Sequence, residues 1–406
     1  VSETRTTLTF VGVALVLTAL AWTSTPRTFA PVAVQDRGQL FFPDFTDPNA
    51  AASLEIVEFD EETSVARPFK VLNRDGRWTI PSHASYPSDA SNRLSLIAAS
   101  IITLKKDDVA GDNPRDEERC GVLDPLDETL PTTKGRGTRI TVKGRNEKIL
   151  ADIIIGKPVE GRPNLHYVRL PGGKRTYISR VENLNVSTRF EDWIERNLLQ
   201  VNRDDIDQII IRNYSAEAQT GKVDLREMLV LAKKGRDLWA AADMSGTETI
   251  DTFKMNLLIT KLVDLAIVDV RPKPASVVAS LTEPSGKTKV LQSDVADLAT
   301  KGFYFTPDGQ MLSGQGEVVV HTSTGIFYIL RFGGVAYGTG DNVYLFISAA
   351  FDPNATKGTL PSAEAKRLDV LRARFAPWYY VVSNDNFRKI RLERKDLITR
   401  TARPTK

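Results

Sequence analysis

Cysteine is almost missing from this 406-residue chain, which has only Cys120. One thiol makes neither an internal disulfide nor a cysteine-based zinc site. Histidine is nearly as scarce: His83, His166 and His321 lie in three separate stretches. No spacing gathers them as a metal site or proton relay requires. Net charge is only +3, which provides no electrostatic footprint for nucleic acid. There is no G-x-S-x-G run, no Walker-type run, and no nucleophile beside a base beyond the bare pair Ser82-His83. The most glycine-rich stretch, residues 333–340 (GGVAYGTG), lacks a following Lys-Ser/Thr. It runs into an apolar strand rather than the helix start that a phosphate cradle needs, so a hairpin turn is expected there. The sequence therefore names no catalytic, cofactor-binding or metal-binding residue. The expectation is a chain that is not an enzyme and holds no cofactor.

What is present begins with an apolar run. Residues 6–26 carry no charge, and residues 10–22 (FVGVALVLTALAW) are almost wholly apolar, with Arg5 before them and Arg27 after. This is a signal-anchor pattern, with the positive end kept inside. A cleaved signal peptide is the competing reading, although Pro31 suits cleavage after Thr28-Phe29-Ala30 poorly. We expect an uncleaved single-pass anchor in the inner (cytoplasmic) membrane, with the body in the extracytoplasmic or periplasmic space.

The remainder divides by pattern. Residues 1–26 form the anchor; residues 27–48 form a tether with an aromatic docking segment (GQLFFPDFTD). Two modules are expected at 49–203 and 204–400, and a basic tail at 401–406. In the first module, Asp75-Gly76 between two apolar runs signals a hairpin that places Trp78 toward the core. Ser88 or Asp89 caps a helix whose Leu94, Ile97, Ile101 and Leu104 fall at helical spacing. Residues 107–131 read as irregular. Strand-like runs with glycine turns follow at 138–142, 149–155, 166–169 and 176–179, and residues 190–199 read as a short helix. The pattern then restarts. Trp239 answers Trp78, and a helix capped at Thr249 or Asp251, with Phe253, Leu257, Leu258 and Leu262 apolar, answers the first. Residues 330–334 answer 152–156. The fold class expected is α+β: an N-terminal transmembrane helix, then two related modules of antiparallel sheet plus helices, repeating every 160–180 residues.

Several of these motifs together carry a resemblance. Asp75-Gly76-Arg77-Trp78, Tyr86-Pro87-Ser88-Asp89 and Cys120-Gly121-Val122-Leu123-Asp124-Pro125 are similar to the bacterial family called domain of unknown function 4340. So are Ile153-Ile154-Ile155-Gly156-Lys157, His166-Tyr167-Val168 and the closing residues 379–392 (YYVVSNDNFRKIRL). The usual Gly-Leu-Asp-Pro has one extra residue here. The resemblance implies a membrane-tethered extracytoplasmic protein associated with gliding-motility-type ABC transporters and their auxiliary subunit. It implies no catalytic residue.

The candidate contact residues come from the chain itself. Tyr86 and Asp89 flank a proline-fixed turn. The C-terminal stretch 361–406 holds 12 Lys/Arg against 5 Asp/Glu, leaving about −4 on the rest of the chain. Lys366, Arg367, Arg372, Arg374, Arg388 and Lys389 are its candidates for an acidic partner or anionic headgroups. The expected function is binding, as an accessory component of an envelope ABC transport system. Its partners would be the transporter's membrane subunits or auxiliary subunit and, through the anchor, the lipid bilayer. The alternatives are a hydrolase of envelope polymers, which two convergent carboxylates would favour, and a glycan-binding scaffold, which an exposed aromatic strip would favour.

Overall fold

The computed structural model describes Ala14 and residues 36–400, apart from 183, 217–222, 237, 283–289, 307–309 and 356–359. The first module is one antiparallel sheet. Its strands are β1 (Ser53–Asp60), β2 (Val65–Arg74), β3 (Arg77–Ile80), β4 (Tyr86–Pro87), β5 (Asp108–Gly111), β6 (Thr138–Lys143), β7 (Ile149–Val159), β8 (Arg162–Arg169) and β9 (Thr176–Arg180). They lie in the order β4-β3-β2-β1-β6-β7-β8-β9-β5. Asp75 and Gly76 take positive φ at the β2–β3 turn, and the Asn73 side chain accepts the Gly76 N–H at 3.0 Å. This is the chemistry that two-residue hairpins favour. Helix α1 (Ser91–Ile102) buries Leu94, Ile97, Ala98 and Ile101. Residues 112–137, with α2 (Pro114–Cys120), cover the opposite face of the sheet around Cys120, Val122 and Ile154.

The second module repeats the plan. Its strands are β10 (Ile206–Ala216), β11 (Val223–Gly235), β12 (Leu238–Ala241), β13 (Glu248–Ile250) and β14 (Asp269–Pro272), then β15 (Phe303–Phe305), β16 (Met311–Ser313), β17 (Glu317–Thr322), β18 (Ile326–Val335), β19 (Val343–Phe351), β20 (Trp378–Val382) and β21 (Ile398–Arg400). The main sheet runs β12-β11-β10-β17-β18-β19-β20-β14. Once each strand is replaced by its counterpart, this is the first sheet without β4. Helix α3 (Thr252–Val263) buries Met255, Leu258, Ile259 and Leu262, each 161 positions after its partner on α1, as Trp239 is after Trp78. The offset grows to 178 between residues 152 and 330. The cause is the longer insert after β14, with α4 (Ala275–Thr282), α5 (Gln292–Thr300) and the β15–β16 hairpin. That insert covers the outer face of its sheet around Val277, Leu298, Phe303 and Tyr379. Helices α6 (Ser362–Phe375), α7 (Asn384–Ile390) and α8 (Arg394–Leu397) complete the chain.

The inner faces of both sheets share one continuous apolar core. The linking residues 193–201 run through it. Trp193, Leu198 and Leu199 are buried, and Trp193 stacks on Phe69 of β2 at 5.6 Å. Leu198 N–H donates to the Leu265 carbonyl at 2.9 Å, and Ile267 N–H to the Arg196 carbonyl at 3.0 Å.

Several expectations are corrected. The α+β balance gives way to sheet: 40% of described residues are in strands and 26% in helices. Strands β7 and β10 run on past their apolar runs, through residues 156–159 and 212–216, because β8 and β11 continue to pair with them. No helix among the described residues is long and apolar enough to cross a membrane. The longest, α6, has 14 residues, or about 21 Å against a hydrocarbon core of ~30 Å. The expected transmembrane helix at 1–26 lies outside the described residues except for Ala14, as does the tail at 401–406. Residues 190–199 form only a single 3-10 turn, Phe190–Trp193, because the segment then extends to bond with residues 265–267. The cap of α1 is Ala90, without a side-chain bond. The Ser88 hydroxyl instead donates to the Trp193 carbonyl at 2.7 Å. Asp251 does cap α3, accepting Lys254 N–H at 3.1 Å, but Phe253 points outward, 78% exposed.

Because one core serves both sheets, unfolding in denaturant should be a single transition by tryptophan fluorescence and by circular dichroism alike. Leu198→Ala should cost about 2–5 kcal/mol as a core truncation and shift both probes together. Separate shifts would show independent modules.

Candidate functional site

Polar and titratable groups of both modules meet where the sheets join. Pro81 ends β3, the 3-10 turn Pro81–His83 follows, and Ala84 and Ser85 then take φ of 52° and 61°. Two consecutive non-glycine residues in the left-handed region cost roughly 1–2 kcal/mol each. That strain reverses the chain so that β4 pairs back on β3 and Tyr86 enters the core. Tyr86 is 5% exposed. It packs edge-on against Phe190 at 5.6 Å and Trp378 of β20 at 5.0 Å. Next to it, the Tyr380 hydroxyl donates to the Arg374 carbonyl at 2.8 Å.

His83 lies flat on Phe190, 4.0 Å between ring centroids, with the Ser82 hydroxyl 2.9 Å from Nδ1. Its Nε2 stands 3.6 Å from Asp269 of the second module. Burial lowers its pKa, and this outweighs the upward pull of Asp269 and of Glu191. Arg271, paired with Asp269 at 2.5 Å, brings its own positive charge near the ring and lowers the pKa further. A second buried base lies behind the other face of the same sheet. Lys273 is 6% exposed, donates Nζ–H to the Phe375 carbonyl at 2.9 Å and sits 3.8 Å over the Phe346 ring. Burial alone pulls its amine well below the ordinary lysine range. Its bond to the end of α6 ties that helix to the sheet.

The remaining motifs form a second joint on the outer face of the first sheet. Gly156 of β7 lies so close to residues 120–122 that a Cβ there would stand 2.4 Å from the Cys120 carbonyl oxygen. Asp124 and Asp152 share Arg139, at 2.9 and 2.7 Å. Arg169 pairs with Glu117 at 3.0 Å and donates to the Val122 carbonyl at 3.3 Å. Arg136 holds the loop, donating to the Asp124 and Asp127 carbonyls at 3.1 and 2.8 Å while covering the Phe59 ring. Burial pushes the Cys120 thiol up, away from nucleophilic thiolate. The paired carboxylates are therefore bound across one arginine rather than facing an open pocket.

The expected contact residues divide between interior and surface. Tyr86 is interior and offers no docking surface. Asp89 is exposed, and its N–H donates to the Trp193 carbonyl at 3.0 Å. Arg367 donates to the Gln200 carbonyl at 2.8 Å, and Arg374 to those of Glu195 and Asn197 at 3.0 and 2.9 Å, so both clip α6 to the linking segment. Arg372 reaches the Ala349 carbonyl at 3.4 Å, and Lys389 pairs with Asp385 at 2.6 Å. Lys366 and Arg388 remain as exposed cations. His83 was weighed in the sequence and set aside, while Arg139, Asp269 and Lys273 were not marked; Asp269 and Lys273 belong to a stretch in which the sequence showed no element. Their only signal would have been the duplication, which makes β14 the counterpart of β5.

A family model matches residues 78–284, running from Trp78 on β3, across the joint, into the second module. The chain belongs to the family described as domain of unknown function DUF4340. No curated protein and no solved structure matches it. In this DUF4340 chain the matched stretch holds Tyr86, His83, Asp269 and Lys273 of the first joint and Cys120, Arg139 and Gly156 of the second, but it leaves out β1, β2 and β15–β21 with the joint residues Trp378 and Tyr380, so it is cut across the duplication rather than along it.

Two expectations follow. Gly156→Ala should destabilise the chain by at least about 1–3 kcal/mol, because backbone rather than a pliable side chain blocks the added methyl; chemical denaturation measures this. His83 has its pKa lowered in the fold, so the neutral ring is the form the fold prefers. Its stability contribution is complete above the unfolded value of ~6.5 and is lost as pH falls below it. His321 acts with the same sign. The drop in denaturation midpoint between pH 7.5 and 5.5 should therefore shrink, but not vanish, in His83→Gln.

Proposed function

We propose that this DUF4340 chain is a binding body rather than a catalyst, an accessory component of an envelope ABC transport system of gliding-motility type. In this reading the apolar stretch 10–22 holds it to the membrane with the body on the extracytoplasmic side. It docks there with the transporter's membrane subunits or their auxiliary subunit. The observation that carries the reading is the use made of the motif residues. Their polar groups are taken up by the two joints, while large apolar side chains are left outward: Leu96, Leu238 and Phe253 are 60%, 61% and 78% exposed. Outward apolar side chains beside grooves suit contact with another protein. The alternation of Arg5, an apolar run and Arg27 supports the placement at the membrane.

Fractionation of the producing cells tests the placement. The full chain should sediment with membranes, and a variant in which a cleavable signal peptide replaces residues 1–26 should be folded and soluble outside the cytoplasm. Gentle solubilisation of the membranes should then co-elute an ABC permease and ATPase with the full chain. Recovery of the full chain in the cytosol, or alone from the membranes, would overturn the proposal.

A further inference from the structure

The outward face of α1 is lined on both sides by grooves. One, of about 710 Å³, lies between Leu40, Leu96, Ile102 and Arg180; the other, of about 580 Å³, lies between Pro48, Asn92 and Leu96. Between them stands Leu96, 60% exposed on a helix whose other leucine is buried. The floor is small: Ser95, Ala99 and Thr103. Its hydroxyls are already satisfied within the helix, Ser95 by the Ser91 carbonyl at 3.0 Å and Thr103 by that of Ala99 at 3.1 Å. Such a face can be covered by apolar surface without stranding a donor.

The duplication indicates what covers it. On α3, the counterpart of α1, helix α7 lies alongside. It buries Phe387 and Ile390, and its Asp385 stands 3.6 Å from Lys261. Leu257, the counterpart of Leu96, is half-buried there. Among the described residues the first module has no α-helix in that place. Its flanks are the 3-10 turn Pro48–Ala50 and the extended segment at 38–41, with Leu40 bridged to Lys105 and Gly38 N–H donating to the Lys106 carbonyl at 2.8 Å. The larger groove's lining carries two cations, Lys105 and Arg180, and two anions, Asp107 and Glu182, and of these only the Lys105 side chain has no hydrogen bond or ion pair among the described residues. Arg180 N–H already occupies Asp107 at 2.8 Å, and its guanidinium stands 3.6 Å from Glu182.

We propose that this groove receives an amphipathic helix of a partner protein, with apolar residues three or four apart and an acidic residue facing Lys105. It fills for the first module the place that α7 fills for the second. Grooves on both sides of a projecting leucine suit the interlocking side chains of a second helix. The identity of the partner as a transporter subunit rests on the proposed function; the groove and its helix do not.

A photo-crosslinking amino acid at position 96 of the full chain, introduced in the producing cells, tests this, with position 337 as the control. The crosslinked peptide is then sequenced by mass spectrometry. The expected result is one partner protein, joined through a stretch with apolar 3–4 spacing and at least one Asp or Glu, and absent from adducts at 337. In Lys105→Glu the adduct should fall at least tenfold with an unchanged melting temperature, since Lys105 is exposed. An adduct to lipid, to a second copy of the chain or to an extended peptide, or no adduct, would overturn the proposal. If the adduct forms in a chain that does not fractionate with membranes, the placement fails and the groove stands.

Discussion

The linking residues 193–201 hold the molecule together. They leave β9, lay Trp193 on the first sheet and then bond to residues 265–267 beside β14 of the second. Trp193, Leu198 and Leu199 lie within one apolar core whose walls are the inner faces of both sheets. Neither sheet could keep that face in water, because each presents a full row of buried aliphatic side chains. Burial at ~25 cal/mol per Å² makes exposing either one costly. The two modules are thus halves of a single folding unit, and Arg367 and Arg374 matter because they fasten α6 to this same segment.

The same constraint explains why the chemistry at the joint is quiet. A histidine and two tyrosines lie at the joint, with a buried lysine behind the sheet, an arrangement that elsewhere would suggest catalysis. Here each polar group has a local structural partner. Arg271 neutralises Asp269, the Tyr380 hydroxyl and the Lys273 amine donate to backbone carbonyls at the end of α6, and His83 stacks on Phe190. Desolvation moves His83, Tyr86, Tyr380 and Lys273 toward their neutral forms, and neutral groups are what an apolar joint tolerates. The shifted titrations come from packing two sheets together.

Legibility in the sequence followed locality. Asp75-Gly76 forms its hairpin because two residues decide the turn, and the spacing of Leu94, Ile97 and Ile101 forms α1 because one face decides the helix. The tryptophans and the two helices repeat at a constant 161, and this let the duplication be read from the chain. Features set by distant segments were hidden. Ser88 is a good cap by local chemistry, yet the Trp193 carbonyl claims its hydroxyl from 105 positions away. Tyr86 looked outward beside a proline turn, and only the strained pair Ala84-Ser85 directs it inward. The arginines of α6 read as a basic face, but three of them reach carbonyls on neighbouring segments. Residues 107–131 were read as irregular although Asn113-Pro114 and Gly121 are sound helix start and stop signals, because seven residues are too few for periodicity to register.

The two modules share one frame and differ in what surrounds it. Both keep the strand order, the tryptophan and the buried helix, which are what the shared core requires. They differ in what was added around that frame. The second module gained the longer insert that seals its outer face around Lys273 and the C-terminal helices that lie along α3. The first kept a short insert, locked by Gly156 and Arg139, and left α1 bare beside the segment that leads from the chain's apolar stretch. Among the described residues, then, one position is half-buried at Leu257 in the second copy and open at Leu96 in the first, on a common frame. That difference places any selection for an outside contact on α1, where Leu96 can be exposed at little cost to the core beneath it.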